Sequence, residues 1–210
     1  MAASLIAENN TLFYSVAKII VFPLFRVLYP VRYYGIEKIR DGKGPRLLIS
    51  NHRHALDPLV IAYSVREQCV FLGKKELADN PIAAWFLKKL HCIFVDRHNT
   101  DLEAMRSCMK ALKLKKTLVI FPEGTRHHQG QMEHIENGTS LIALRGKVPL
   151  IPIYLDGTLR LFHRINVYVG DPIQFDDLIQ RGANVDTCNE LNRRMKQTYR
   201  TMIRDKGDRP

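Results

Sequence analysis

Two short polar clusters in this chain carry side chains able to move a proton and to grip an anion. The first is Asn51-His52-Arg53-His54-Ala55-Leu56-Asp57-Pro58 and the second is Phe121-Pro122-Glu123-Gly124-Thr125-Arg126. An imidazole close to a carboxylate suits general-base chemistry. The carboxylate accepts the proton on one ring nitrogen and leaves the other nitrogen to take a proton from a substrate. Residues five apart on an ideal helix point about 140° apart, so a continuous helix would keep His52 from Asp57. Pro58 disfavours the helical conformation at Asp57, and a loop over residues 51–56 that folds back would bring the pair together. The competing reading is that Asp57 only N-caps a helix beginning at Pro58 and His52 is an ordinary loop histidine. In the second cluster Gly124 lets the backbone approach a ligand, Thr125 offers a hydroxyl donor and Arg126 a planar fork matched to phosphate. Its competing reading is a strand-to-loop turn with a surface arginine.

Each cluster follows a short apolar run, Leu47–Ser50 and Thr117–Phe121, that reads as a buried strand. If the two strands are parallel neighbours, their carboxyl ends open on one sheet edge and the clusters share a cleft. Further strands are expected over Val31–Ile36, Val70–Leu72, Ile93–Val95, Val148–Tyr154 and Asn166–Val169. Helices are expected over Pro58–Arg66, Pro81–Leu90, from Thr100 to Lys113, from Gly138 to Arg145 and from Thr187 onward. Thr100 with Glu103, and Thr187 with Glu190, have capping-box spacing. Alternating strands and helices predict an α/β fold, a single domain over residues 30–205 with a mostly parallel sheet flanked by helices.

An N-terminal amphipathic segment, residues 1–29, precedes this domain. Its apolar run over residues 4–29 is broken by Lys18, Pro23 and Arg26, a poor fit to the roughly 20 uncharged residues of a membrane span. Glu8, Asn9 and Asn10 stand where a signal peptide would be basic. An aromatic- and leucine-rich helix with two cations fits an interfacial anchor, in competition with a helix packed on the protein's own core. The 210 residues carry a net charge of +11, which points to an anionic partner such as a phospholipid surface, nucleic acid or a phosphorylated substrate. Cys69, Cys92, Cys108 and Cys188 form no C-x-x-C pair and read as reduced thiols. No G-x-S-x-G elbow is present, so a histidine base acting without a covalent nucleophile suits direct attack of a substrate hydroxyl on an activated acyl group.

Together these residues resemble the glycerolipid acyltransferase family, typified by the 1-acyl-sn-glycerol-3-phosphate acyltransferases. Asn51-His52 followed by Asp57-Pro58 matches the family's N-H-x-x-x-x-D motif. Gly73-Lys74-Lys75-Glu76-Leu77 with Phe94-Val95-Asp96-Arg97 resembles its second block, Phe121 to Arg126 its third and Val148 to Ile153 its fourth, in the family's order over residues 30–160. The resemblance implies that His52 is the general base and Asp57 its orienting partner. It places Glu123, Gly124, Thr125 and Arg126 at the acceptor, with Lys74 in the second block and Arg97 joining Arg126 on the acceptor's phosphate. The donor would be an acyl-CoA or acyl carrier protein thioester, the acceptor 1-acyl-sn-glycerol 3-phosphate and the product phosphatidic acid. No metal or bound cofactor is implied. Leu59, Val60, Trp85 and Phe86 are candidates to line a tunnel for the acyl chain. One departure stands out: family members often carry a lysine shortly before the next glycine, whereas this chain reads Ile135-Glu136-Asn137-Gly138. A different lysolipid acceptor is therefore the alternative.

Two other classes compete. A zinc hydrolase could draw on His52, His54, His127, His128 and His134, but no H-E-x-x-H or paired Cys/His spacing occurs. A non-enzymatic basic binder of membrane or nucleic acid would use the net charge and the basic last helix. No nucleic-acid module is recognisable, so the expected surface partner is an anionic membrane, met from its cytoplasmic face by a peripheral or monotopic protein.

Overall fold

The structure, a computed structural model, describes residues 12–40, 44–96, 101–126 and 132–206. Its strands are β1 (Val31–Tyr34), β2 (Arg46–Ser50), β3 (Val70–Lys74), β4 (Cys92–Val95), β5 (Thr117–Ile120), β6 (Leu150–Asp156) and β7 (Ile165–Val169). They form one sheet in the order β1-β7-β6-β2-β5-β3-β4. From β6 to β4 all pairings are parallel, while β7 runs antiparallel to β6 and parallel to β1. β2 and β5 are buried along their whole length. This is why they read as continuous apolar runs: a strand inside a parallel sheet has both faces covered.

The helices are α1 (Leu12–Leu28), α2 (Glu37–Arg40), α3 (Asp57–Ser64), α4 (Pro81–Lys89), α5 (Leu102–Lys113), α6 (Asn137–Gly146), α7 (Asp176–Gln180) and α8 (Val185–Asp205). Side-chain alternation splits the core in two. Leu47, Ile49, Leu118 and Ile120 face α5, α6 and α8, whereas Leu48 and Val119 face α3. Tyr199 of α8 is fully buried and its hydroxyl donates to the carbonyls of Ile49 (2.7 Å) and Ile153 (3.2 Å), which ties the last helix beneath the carboxyl ends of β2 and β6. Burial pushes that phenol well above its ordinary range, so it stays a donor.

The helix caps differ from the capping boxes expected from sequence. α5 is capped by Asp101, which accepts from the Ala104 N–H; Thr100 lies outside the described residues. α8 begins at a reciprocal pair one turn earlier than expected, Asn184 with Thr187. Glu190 instead pairs with Arg193 and Arg194, and these two guanidinium groups hold its carboxyl down to about 2.

Helix α1 packs one stripe on the protein's own core, one of the two competing expectations for it, and leaves the other stripe exposed. Tyr14, Phe22 and Phe25 are buried, with Phe22 edge-on to Tyr63 of α3 at 5.5 Å. The opposite stripe, Leu12, Val16, Ile19, Ile20, Leu24 and Val27, is exposed. A helix apolar on both sides ordinarily has cover on both. Lys18 does not reach outward as an interfacial cation would. Its Nζ donates to the carbonyls of Val65 (3.0 Å) and Arg66 (2.6 Å) beyond the end of α3, and burial lowers its pKa. Residues 1–11 of the expected N-terminal segment lie outside the described residues. Among the described residues no helix is long and apolar enough to cross a membrane.

Candidate active site

Strand β2 delivers Asn51 and His52 to the carboxyl edge of the sheet, and β5, its parallel neighbour, delivers Pro122 to Arg126 beside them. The register sets Ile49 opposite Ile120, so the two clusters, some seventy residues apart in sequence, share one edge.

The loop after β2 folds back on itself. His52 Nδ1 lies 2.9 Å from Asp57 Oδ2, and that same oxygen accepts the backbone N–H groups of Arg53 and His54, each at 2.7 Å. α3 has Leu56 at its N-cap position without a side-chain cap bond. The Asp57 carboxylate therefore serves the loop and the imidazole, not the helix it begins. Its side chain is 4% exposed, and three donors on one oxygen fix it in position. Its hydrogen bond places the imidazole proton on Nδ1 and leaves Nε2 as the basic nitrogen. His52 is 18% exposed and its ring stacks on Phe121 with centroids 4.2 Å apart.

Two further side chains position this loop. Asn51 is fully buried and its amide closes a two-way clamp on Leu155 of β6, accepting from the Leu155 N–H at 2.8 Å and donating to its carbonyl at 3.0 Å. Glu123, 3% exposed, accepts the His52 backbone N–H at 3.1 Å. The resemblance puts Glu123 at the acceptor; the structure turns it inward to hold the His52 backbone. The sequence reading gives Asn51 no role beyond its place in the motif. Its own signal is a polar amide directly after a buried strand, since such a group must find partners.

The second loop is open. Gly124 has φ +71°, and a Cβ there would lie 3.2 Å from Glu136 Cγ. Thr125 and Arg126 are exposed, and Arg126 forms no ion pair among the described residues. Lys74, at the carboxyl end of the next strand β3, is exposed and pairs with Glu76 at 3.1 Å. Arg97, His127 and His128 lie outside the described residues. His134 pairs with Glu136 at 3.0 Å, and among the described residues no three His, Cys, Asp or Glu side chains converge as a metal site would require.

Beside Phe121, Pro122 and Gly124 opens a cavity of about 760 Å³ whose walls include Leu72, Val95, Met105, Ile120 and Ile142. Its size falls within the roughly 300–1,000 Å³ of small-molecule sites, and Phe121 connects it to the His52 ring. Of the residues expected to line an acyl tunnel, Leu59, Val60 and Trp85 do not line this cavity. Val60 is core and Leu59 packs against the same cluster on the α3 side of the sheet. Trp85 is exposed, edge-on to Phe13 at 5.7 Å; the Phe86 side chain lies outside what is described. All four cysteines are free, and burial raises the thiols of Cys92 and Cys108 to about 12, far from a thiolate nucleophile.

A mostly parallel α/β sheet thus carries a histidine–carboxylate pair and an exposed arginine on loops at one edge. The family model described as Acyltransferase matches residues 30–156, and the chain belongs to that family. It is 27% identical over 179 residues, 81% of its length, to the 1-acyl-sn-glycerol-3-phosphate acyltransferase of Streptococcus pneumoniae, of which it covers 66%. It is 28% identical over 176 residues to the Bacillus subtilis protein of the same name, covering 80% of this chain and 87% of that one. The chain spans about half to two thirds of the length of several curated relatives. Its fold matches the crystal structure of the 1-acyl-sn-glycerophosphate acyltransferase PlsC of Thermotoga maritima, with a TM-score of 0.65 at 19% identity over 90% of this chain and 82% of that one.

Proposed function

We propose that this chain transfers a fatty acyl group from an acyl-CoA or acyl carrier protein thioester to the free hydroxyl of 1-acyl-sn-glycerol 3-phosphate, giving phosphatidic acid. The observation that carries the reading is the contact between His52 Nδ1 and Asp57 Oδ2, on the sheet edge that also bears Arg126. His52 Nε2 takes the hydroxyl proton as the acceptor oxygen attacks the thioester carbonyl. The new C–O bond forms, the C–S bond then breaks, and the imidazolium returns the proton to the departing thiolate. A positioned general base, held here by Asn51, Glu123 and the Asp57 loop, contributes about 10²–10⁴-fold, so the rest of the acceleration comes from orienting the two substrates and stabilising the oxyanion. Arg126, exposed on the loop after β5, receives the acceptor phosphate, and Lys74 and Arg97 extend the positive edge. The apolar cavity that meets the His52 ring at Phe121 accepts an acyl chain. The reading requires no metal or bound cofactor. The exposed stripe of α1 lies on the cytoplasmic face of a membrane, which makes the protein peripheral or monotopic.

Glu136 favours a second reading. It places a carboxylate against Gly124, in the stretch where family members often carry a lysine, and a dianionic phosphate is least welcome beside it. Under that reading the acceptor is a different lysolipid. Purified protein offered lysophosphatidate and a panel of other lysolipids, with each thioester donor in turn, tests both. Phosphatidic acid as main product supports the first reading, preference for another lysolipid selects the second, and no acyl transfer to any acceptor contradicts both.

A further inference from the structure

The loop between β6 and β7, residues 157–164, exposes two large apolar side chains, Leu161 at 54% and Phe162 at 70%. Phe162 stands at φ +62°, a conformation in which a bulky residue is a genuine outlier. The loop is nonetheless well tied. The Phe162 N–H donates to the Leu28 carbonyl at 2.7 Å, the Ile165 N–H to the Pro30 carbonyl at 3.0 Å and the His163 N–H to the Arg160 carbonyl at 3.1 Å. An ordered loop thus aims an aromatic ring outward in a costly backbone conformation, where folding gains nothing from it.

Its placement supplies the reason. The bond to Leu28 joins the loop to the end of α1, the helix whose exposed apolar stripe ends in Leu24 and Val27. An isolated exposed apolar residue needs no explanation, but two neighbouring large ones on a loop tied to the end of an exposed apolar helix stripe point to an interaction surface. Arg160 and Arg164 flank the apolar tip, both exposed and without ion pairs among the described residues. Apolar tips bracketed by such cations match the layering of an anionic leaflet, with acyl chains inside and phosphates at the rim. The loop also leaves β6 just after Leu155, the strand end clamped by Asn51, and so sits on the same sheet edge as His52.

We propose that residues 157–164 form a second lipid-inserting element. Leu161 and Phe162 enter the acyl region of an anionic leaflet and Arg160 and Arg164 hold its phosphates. Together with α1 the loop sets the His52 edge of the sheet against the membrane that supplies the lipid acceptor. The proposal rests on α1 lying on the membrane.

Trp85 is the single tryptophan of the chain, so Phe162→Trp in a Trp85→Phe background reports the loop alone. With vesicles of phosphatidylcholine and phosphatidylglycerol carrying brominated chains, its emission is expected to shift to the blue and be quenched. Sedimentation of the wild-type protein with the same vesicles reports α1 independently. Phe162→Gly, which suits the positive φ, is expected to weaken vesicle binding about 10-fold with an unchanged or higher Tm. Arg160→Gln and Arg164→Gln are each expected to weaken it about 5-fold at low salt. A protein that sediments while the indole of the Phe162→Trp variant stays unquenched overturns the loop proposal and leaves the α1 reading intact. A wild-type protein that does not sediment overturns both, while acyl transfer to a short-chain, water-soluble acceptor still tests the enzyme. Unchanged vesicle binding in these variants, with a raised KM for acyl carrier protein, would assign the patch to a protein partner and also overturn the proposal.

Discussion

The loops after β2 and β5 lie side by side on one sheet edge and follow opposite plans. In the first, Asp57 gathers an imidazole and two backbone N–H groups on one oxygen, Asn51 clamps β6, and Glu123 holds the His52 N–H. In the second, the chain turns at a left-handed Gly124 and leaves Thr125 and Arg126 exposed. Proton transfer demands that a base be held within hydrogen-bond reach of its target, whereas an arginine can follow a mobile anion. The contrast fits the proposed division of labour, with the fixed loop suited to chemistry and the open loop to recognition. Glu123 belongs by sequence to the open loop and by contact to the fixed one, and so couples the two.

The largest test of this contrast is His52→Ala. It should lower kcat by about 10²–10⁴-fold with little change in Tm, measured by acyl transfer alongside thermal unfolding. Asp57→Asn should follow with a smaller loss in kcat. An amide can present its NH₂ to Nδ1 and select the wrong tautomer, and the Arg53 and His54 N–H groups lose a charged acceptor, so Tm should fall as well. Arg126→Ala should act on recognition alone, raising KM for a phosphorylated acceptor about 10-fold; the exposure of this side chain keeps the effect at the low end. Gly124→Ala should cost about 1–2 kcal/mol of stability, because an L side chain is strained at φ +71° and its Cβ would crowd Glu136; denaturant unfolding measures it. If Asp57→Asn altered KM and Arg126→Ala altered kcat, the division between the loops would be lost.

Much of this edge is legible in the sequence. β2 and β5 announce themselves as apolar runs ending in polar residues, because a doubly covered strand leaves no room for alternation. Pro58 points to the fold-back that joins His52 to Asp57. The inward turn of Glu123 is not legible, since it depends on the register of β2 against β5, a long-range fact with no local signature. Lys18 misleads for a similar reason: a cation in an apolar helix resembles a headgroup contact until the carbonyls beyond α3 are seen beneath it. The caps of α5 and α8 shift because Asp101 and Asn184 cap as well as threonine does, and spacing alone does not choose among them. Composition cannot divide the N-terminal segment into inner and outer stripes, as both are apolar. That packing also makes deletion of residues 1–29 a poor test of membrane binding, because it would uncover α3. Ile19→Ser with Leu24→Ser, on the outer stripe, is the cleaner variant and should weaken vesicle sedimentation without loss of fold.

At the centre of the proposed mechanism, His52 as a fixed base and Arg126 as an exposed phosphate-binding arginine serve one acceptor. The most direct measurement compares kcat/KM of wild type, His52→Ala and Arg126→Ala on lysophosphatidate and on the same monoacylglycerol without its phosphate. His52→Ala is expected to lose activity equally on both acceptors, and Arg126→Ala to lose it on the phosphorylated one alone. Wild-type turnover by His52→Ala, or an equal loss on both acceptors in Arg126→Ala, would contradict the mechanism.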